Sequence, residues 1–202
     1  MLVNTMHPFL ARRRQQGATL IEILVTLVIL LLGLLGLTAV SSRSHMAELE
    51  SFQRIQALEL VQDMAERMNA NRKVALCYSN SATGVQLGTG ANPSTAVPAC
   101  ALGSAQQQAQ AVADLKAWDS LIKGQAEVLK SGTQVGAMLG AVGCIVQQAP
   151  NTYLIAVAWQ GLVRTAAPTI EDGSTFPCGS GKFGDDRLHR VVTTKVQIGV
   201  LS

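Results

Sequence analysis

The sequence predicts an α+β protein in which one long N-terminal helix packs on a small antiparallel sheet. Three observations predict this fold: an uninterrupted apolar run near the N-terminus, an amphipathic helical pattern that continues from it, and alternating apolar positions near the C-terminus. A helix and a sheet that are each apolar on one face bury those faces against each other. The 202 residues are enough for one membrane segment and one domain of ordinary size.

The apolar run covers residues 18–40 and contains one charged side chain, Glu22. A helix of about 20 apolar residues crosses a ~30 Å hydrocarbon layer, so the run is long enough to span a bilayer. Three arginines at positions 12, 13 and 14 precede it and favour a cytoplasmic N-terminus, with the rest of the chain outside. A carboxylate within a membrane costs roughly 2.5–3.5 kcal/mol on insertion scales, so Glu22 indicates a function.

The segment Gly17-Ala18-Thr19-Leu20-Ile21-Glu22 resembles the class III signal of type IV prepilins and pseudopilins. Its small-residue junction precedes the apolar run, whereas the cleavage site of a secretory signal peptide follows it. The resemblance implies that a prepilin peptidase cuts between Gly17 and Ala18 on the cytoplasmic face and methylates the new N-terminus. Ala18 departs from the family pattern, which usually has phenylalanine at this position.

Cleavage before Ala18 creates an α-amino group at the membrane boundary, with an ordinary pKa of about 7.7–8.0. A buried amine and a buried carboxylate each need a counter-charge. In a helical filament, Glu22 of one subunit can neutralise the amine of a neighbour, and the pair would set the register of assembly. The alternatives are a single-pass anchor whose Glu22 reaches the membrane interface, and a lone glutamate that serves no purpose.

A single helix is predicted over residues 19–72, because residues 37–83 contain neither glycine nor proline. Its second half has an apolar stripe that is expected to face the domain, formed by Met46, Leu49, Phe52, Ala57, Leu60, Val61, Met64 and Met68. The domain division that follows is a leader at residues 1–17, a membrane half of the helix at 18–40, an amphipathic half at 41–73, and a periplasmic domain at 74–202. Within that domain, residues 74–141 are predicted as loop and helix and residues 142–202 as antiparallel strands.

Strands are predicted over residues 143–148, 153–160 and 192–200. The first two form a hairpin through a turn that contains Pro150 and Asn151, and Tyr153, Ile155, Val157 and Trp159 share one face of the second. Residues 79–98 are predicted as a loop, since Ser, Thr, Gly, Asn and Pro are frequent there. Residues 105–130 have helical spacing, with a break into two helices at Gly124.

The four cysteines are Cys77, Cys100, Cys144 and Cys178. Outside the cytoplasm they can form lasting disulfides, and three pairings are possible. The pairing Cys77–Cys100 with Cys144–Cys178 is favoured because each bridge closes a loop within one region. A zinc site is disfavoured because no Cys-x-x-Cys or paired histidine spacing is present.

No arrangement of residues predicts an enzyme, a metal site or a cofactor. The segment Gly179-Ser180-Gly181-Lys182 lacks the spacing of a phosphate-binding loop. The acidic residues Glu171, Asp172, Asp185 and Asp186 have no EF-hand spacing and are expected in a solvated loop. Without the leader, 13 basic and 13 acidic side chains remain, so net charge gives no argument for nucleic-acid binding, although local basic patches stay open.

Several later stretches resemble the PilV type of minor pilin, also called type IV pilus modification protein. They are residues 63–72, Ala117-Trp118, Val157-Ala158-Trp159-Gln160, Cys178-Gly179-Ser180-Gly181 and Arg190-Val191-Val192. The resemblance implies a type IV pilin-like fold and a subunit of the inner membrane that joins other minor pilins and the major pilin to initiate a pilus, with roles in twitching motility and surface attachment. The alternatives are a pseudopilin of a type II secretion machine and a pilus-tip module that binds DNA or a host surface through the loop at residues 161–189.

Overall fold

The computed structural model describes residues 17–80, 83–125, 129–131, 136 and 138–199. The chain divides into two compact units, residues 1–45 and 46–202. Of the predicted leader at residues 1–17, only Gly17 lies within the described residues.

Helix α1 (Leu20–Ala70) has 51 residues and begins and ends within two residues of the helix predicted at 19–72. It starts in the first unit and ends in the second. The helix stops where Asn71 leaves helical geometry, with φ −111° and ψ 37°, and a 3₁₀ helix follows over Arg72–Tyr78. Proline and glycine are absent from its second half, so no residue there imposes a break.

The apolar stripe of α1 is buried only in its last turns. Ala57, Val61, Met64 and Met68 are at most 1% exposed, and their spacing places them on one helix face. The prediction is wrong for Met46, Leu49 and Phe52, which are about half exposed. The contacts of this earlier stretch are polar instead, because Gln53 accepts a hydrogen bond from the indole of Trp159 and Glu50 accepts bonds from Leu162 and Val163.

The sheet has four antiparallel strands in the order β1-β2-β3-β4. They are β1 (Val85–Gly88), β2 (Val142–Ala149), β3 (Thr152–Gln160) and β4 (His189–Gln197). The β2–β3 hairpin forms as predicted, and Asn151 in its turn has a φ of 58°. The last strand begins three residues before its predicted start and ends at Gln197, while Val200 lies outside the described residues.

Strand β1 and a short helix, α2 (Pro93–Ala96), lie in the region predicted as a loop, so that prediction is wrong. Val85 and Leu87 are buried in β1, which pairs with β2 from Val85↔Ile145 to Gly88↔Val142. The four residues of β1 follow Gly84 and end at Gly88, two glycines of positive φ, and are too few to show a strand period in the sequence. Hydrogen bonding to β2 therefore defines this strand, which the local sequence pattern does not indicate.

Helix α3 (Ala105–Ile122) covers the inner face of the sheet. It begins with a capping box, in which Ser104 accepts from the amide of Gln107 and the Gln107 side chain accepts from the amide of Ser104. Trp118 is fully buried, and its indole donates to the carbonyl of Leu60 in α1 at 2.9 Å. A second helix after Gly124 is not found at residues 129–131, which form a turn, and residues 126–128 lie outside the described residues.

The inner face of the sheet and the buried stripe of α1 share one core. The strand residues in this core are Val85, Leu87, Ile145, Tyr153, Ile155, Val157, Trp159, Val192 and Val196. The alternation predicted for β3 is therefore correct, because Tyr153, Ile155, Val157 and Trp159 all point inward.

The outer face of the sheet is covered by residues 161–188, the long connection between β3 and β4, which we name the strap. A second apolar cluster forms there from Val142, Cys144, Ala156, Ala158, Phe176, Cys178 and Phe183. The strap is joined to β2 by the Cys144–Cys178 disulfide, and Cys77–Cys100 closes the loop that contains β1 and α2. These are the two pairs that the sequence favours.

A buried polar network joins the end of α1 to α3 and to the 3₁₀ helix. Asp114 accepts from the hydroxyl of Tyr78 at 2.5 Å, from Arg67 at 3.2 Å and from Gln110 at 2.8 Å. Arg67 also bonds Asp63 at 2.7 Å. Burial, together with the bond to Asp114, raises the pKa of Tyr78, so this hydroxyl stays protonated and remains a donor.

Candidate processing and assembly site

The predicted cleavage junction is an exposed, non-helical segment. Residues 17–19 precede helix α1 and are exposed. A Cβ added at Gly17 would meet no atom within 4 Å, so the described residues do not crowd this position. The peptide bond between Gly17 and Ala18 therefore lies outside the helix and is exposed.

Thr19 and Glu22 form the first turn of α1. The carbonyl of Thr19 accepts from the amide groups of Glu22 and Ile23 at 3.0 and 3.2 Å, and its hydroxyl accepts from the amide of Glu22 at 3.3 Å. Thr19 therefore caps the helix, and Glu22 stands at its third position. A carboxylate in the first helical turn is stabilised by the positive end of the helix dipole.

The first 20 residues of α1 form an apolar surface on all sides. Within the described part of the chain, α1 is the one helix long and apolar enough to cross a membrane, by length and composition, with a mean hydropathy of 2.9 in its most apolar window. None of that window is buried in protein. The hydroxyls of Thr26 and Thr38 donate to the carbonyls of Ile23 and Leu35, so these polar groups are satisfied within the helix.

In the second unit, three charged side chains of the strap, Arg164, Asp185 and Arg187, pair with one another. Asp185 accepts from Arg164 at 2.8 Å and from Arg187 at 3.1 Å. The hydrogen bond from Arg187 is the main cause that lowers the pKa of Asp185 to about 2. The carboxylate of Asp172 accepts from the amide of Ser174, so it caps a turn.

Glu50 of α1 holds the beginning of the strap. One carboxylate oxygen accepts from the amides of Leu162 and Val163 at 3.0 and 2.9 Å and from the guanidinium of Arg190 at 3.2 Å. Arg190 also donates to the carbonyl of Val163. Sequence reasoning placed no weight on Glu50, because a single glutamate on an amphipathic helix carries no local signal of a distant partner.

Among the described residues, no group of three or more His, Cys, Asp or Glu side chains could hold a metal ion. A notch of about 320 Å³ lies between α1 and β4, and Glu50, Arg54, Trp159 and Arg190 line it.

The fold and the N-terminal junction define an assembly subunit anchored by one apolar helix. Two family models match adjacent parts of the chain: the prokaryotic N-terminal methylation motif at residues 12–38, and the family of type IV pilin Tt1218 at residues 39–116. No curated protein and no solved structure matches the chain significantly.

The chain belongs to the type IV prepilins. Its long helix and four-stranded antiparallel sheet match the type IV pilin fold. It is a pilin subunit, and this family is structural rather than enzymatic. The methylation motif implies processing by a prepilin peptidase and assembly with other pilins, and the apolar helix anchors the chain in a membrane.

Proposed function

We propose that this pilin is a minor pilin that helps to initiate type IV pilus assembly. The observation that carries the proposal is Glu22, an acidic residue in the first turn of an apolar helix, four positions after an exposed Gly17-Ala18 junction. Similarity of later stretches to the PilV type favours a minor subunit. Cleavage falls between Gly17 and Ala18, and the amino group of Ala18 is then methylated.

The proposed topology follows from the charge and cysteine positions. The leader at residues 1–17 stays in the cytoplasm with its arginines, and residues 18–40 span the inner membrane. Residues 41–73 complete the helix, and the domain at residues 74–202 lies in the periplasm. Two disulfides are consistent with that compartment, since it is oxidising.

Glu22 is proposed to recruit the subunit by charge pairing. The amine of Ala18 exists only after cleavage, so an uncut precursor lacks the counter-charge. Transfer of Glu22 from the bilayer into a filament is favourable when its carboxylate meets a neighbouring amine. The pair links maturation to assembly, because only processed subunits can form it.

The processing step is tested with Gly17→Glu in piliated cells. We expect this variant to remain as the heavier precursor, whereas Gly36→Ala, a glycine within α1 with no atom near its added Cβ, is cut normally. Intact-mass and N-terminal analysis identify the product. A wild-type protein that still begins at Met1 in piliated cells contradicts the proposal.

The assembly step is tested with Glu22→Gln, which keeps the size of the side chain and removes its charge. We expect normal cleavage, with loss of the subunit from sheared pili and reduced piliation. Glu59→Gln is the matched control, since Glu59 is exposed on the same helix outside the apolar run. Pili that contain Glu22→Gln subunits at the wild-type level would refute charge pairing.

Deletion of the gene separates a pilus subunit from a secretion pseudopilin. We expect loss of twitching motility and of surface pili, with release of secreted proteins unchanged. Lost secretion in a strain that keeps its pili assigns the protein to a secretion machine instead. Complementation with the wild-type gene is the control for effects on neighbouring genes.

A further inference from the structure

Residues 179–188, the second half of the strap, pack against one buried histidine. His189 is the first residue of β4, is 1% exposed, and lies on the outer face of the sheet under the strap. Its ring is tilted against that of Phe183, with centroids 5.0 Å apart. Neither ring nitrogen has a hydrogen-bond partner among the described residues.

Phe183 is the apolar anchor of this half of the strap. A Cβ built at Gly179 would lie 2.8 Å from its ring and 3.1 Å from Val142, and one built at Gly140 would lie 3.5 Å from the ring. The ring of Phe183 therefore fills a space bounded by Val142 of β2, Gly179 of the strap and His189. Residues around it are rich in glycine, and the end of this segment is held by Arg164, which bonds Asp185 at 2.8 Å, and by Arg190, which donates to the carbonyl of Arg187 at 3.0 Å.

The disulfide divides the strap into two parts of different freedom. Cys178 is bonded to Cys144 of β2, so the chain is fixed at this point. Residues 179–188 run from there to β4, and Gly179, Gly181 and Gly184 all have positive φ. Opening of this part requires Phe183 to leave its position beside His189. It also breaks the Arg164–Asp185 ion pair and the hydrogen bonds from the amides of Gly161 and Thr165 to the carbonyls of Leu188 and Arg187.

We propose that residues 179–188 form a pH-responsive flap, which is closed over neutral His189 and opens when that histidine is protonated. A charged imidazolium under the closed flap is costly, because burial outweighs the favourable effects of the Cys178 backbone and of Asp186, whereas the open flap lets water solvate the charge. Opening uncovers Val142 and the small residues Ala156 and Ala158, which form an apolar patch on the outer sheet face. The flap is independent of Glu22 and of the proposed role in assembly.

Burial and the groups around the imidazole together favour the neutral form of His189. Burial is the main cause that lowers the pKa of His189 below its ordinary 6.5. The backbone of Cys178 and the carboxylate of Asp186, in the 3₁₀ helix Asp186–Leu188, act in the opposite direction, and Arg190 adds to the lowering. The open flap has the ordinary pKa and so binds a proton more readily than the closed one.

The sign of the pH dependence follows from this difference. Above about pH 6.5, His189 is neutral in both forms and the flap is at its most stable. As the pH falls below that value, the open form gains a proton that the closed form resists. The ratio of open to closed flap then rises about tenfold per pH unit until the pKa of the closed form is reached.

Hydrogen exchange of the full chain in detergent micelles tests the proposal. Protection of residues 179–188, corrected for the intrinsic pH dependence of exchange, is expected to fall about tenfold per pH unit below pH 6.5. Protection of β2 and β3 in the same sample is expected to change less. His189→Phe and His189→Gln should abolish the slope, while His45→Gln, the matched control in the other unit, should keep it.

Two results overturn the proposal. One is equal corrected protection of residues 179–188 at pH 5 and pH 7.5 in the wild-type chain. The other is a slope that persists in both His189 variants. If a variant fails to fold, the pKa of His189 in the wild-type chain, measured by NMR, decides the matter: a value of 6.5 or above refutes the mechanism.

Discussion

The bond between Tyr78 and Asp114 offers a direct measure of how strongly the 3₁₀ helix after α1 is held to α3. Tyr78 is fully buried, and its hydroxyl donates to the carboxylate of Asp114 at 2.5 Å. The same hydroxyl oxygen accepts a hydrogen bond from the side-chain amide of Asn71 at 3.3 Å. A hydrogen bond to a charged group contributes about 1.5–3 kcal/mol. We expect Tyr78→Phe to lower the free energy of unfolding of the second unit by about 2 kcal/mol.

Unfolding by guanidinium chloride can be followed by tryptophan fluorescence, because both tryptophans of the chain, Trp118 and Trp159, are buried in this unit. The matched control is Tyr153→Phe. Tyr153 is also buried, but its hydroxyl has no hydrogen bond among the described residues, so we expect a loss below about 0.5 kcal/mol.

A double-mutant cycle with Asp114→Asn isolates the pair. We expect a coupling free energy of about 1–2 kcal/mol between the two changes, since each removes the same charge-assisted bond. Equal losses for Tyr78→Phe and Tyr153→Phe, together with a coupling near zero, would refute the view that this bond stabilises the junction.

Three further predictions concern the same unit. Replacement of Cys144 and Cys178 by serine should lower the free energy of unfolding by about 3–4 kcal/mol in denaturation under oxidising conditions, because the bridge closes a loop with a sequence separation of 34 residues; a variant as stable as the oxidised wild type would contradict this. Gly143→Ala should destabilise by roughly 1–3 kcal/mol in the same assay, since its Cβ would lie 2.4 Å from the Trp118 ring, whereas Gly199→Ala, with no atom within 4 Å, should be neutral. Glu50→Gln should increase hydrogen exchange at the amides of Leu162 and Val163, since both donate hydrogen bonds to the Glu50 carboxylate, while Glu66→Gln should leave the exchange of both amides unchanged.

The long helix and the hairpin could be predicted because their signals are local. Residues 37–83 lack glycine and proline, and Tyr153, Ile155, Val157 and Trp159 alternate in one short segment. The N-terminal methylation motif could also be recognised, since Gly17, Ala18 and Glu22 lie together in the chain, and cleavage between Gly17 and Ala18 stays a prediction. These features need no knowledge of distant contacts.

The parts that could not be predicted depend on distant partners. Strand β1 exists because Val85 and Leu87 find β2 about 60 residues later, a pairing that a four-residue segment does not announce. Exposure of Met46, Leu49 and Phe52 was missed for a related reason, because periodicity marks an apolar face but not what covers it. Glu50 acquires its role only when residues 162 and 163 arrive beside it.

The two edges of the sheet are protected in different ways. Strand β1 is only four residues long, and Asp119 of α3 accepts from the amide of Gly88 at 2.8 Å, so this edge presents little unpaired backbone. Strand β4 is longer and carries an exposed lysine, Lys195, whose charge opposes the approach of another strand. Both features therefore disfavour edge-to-edge pairing between the sheets of two copies of this chain, which is the contact from which amyloid-like aggregates grow.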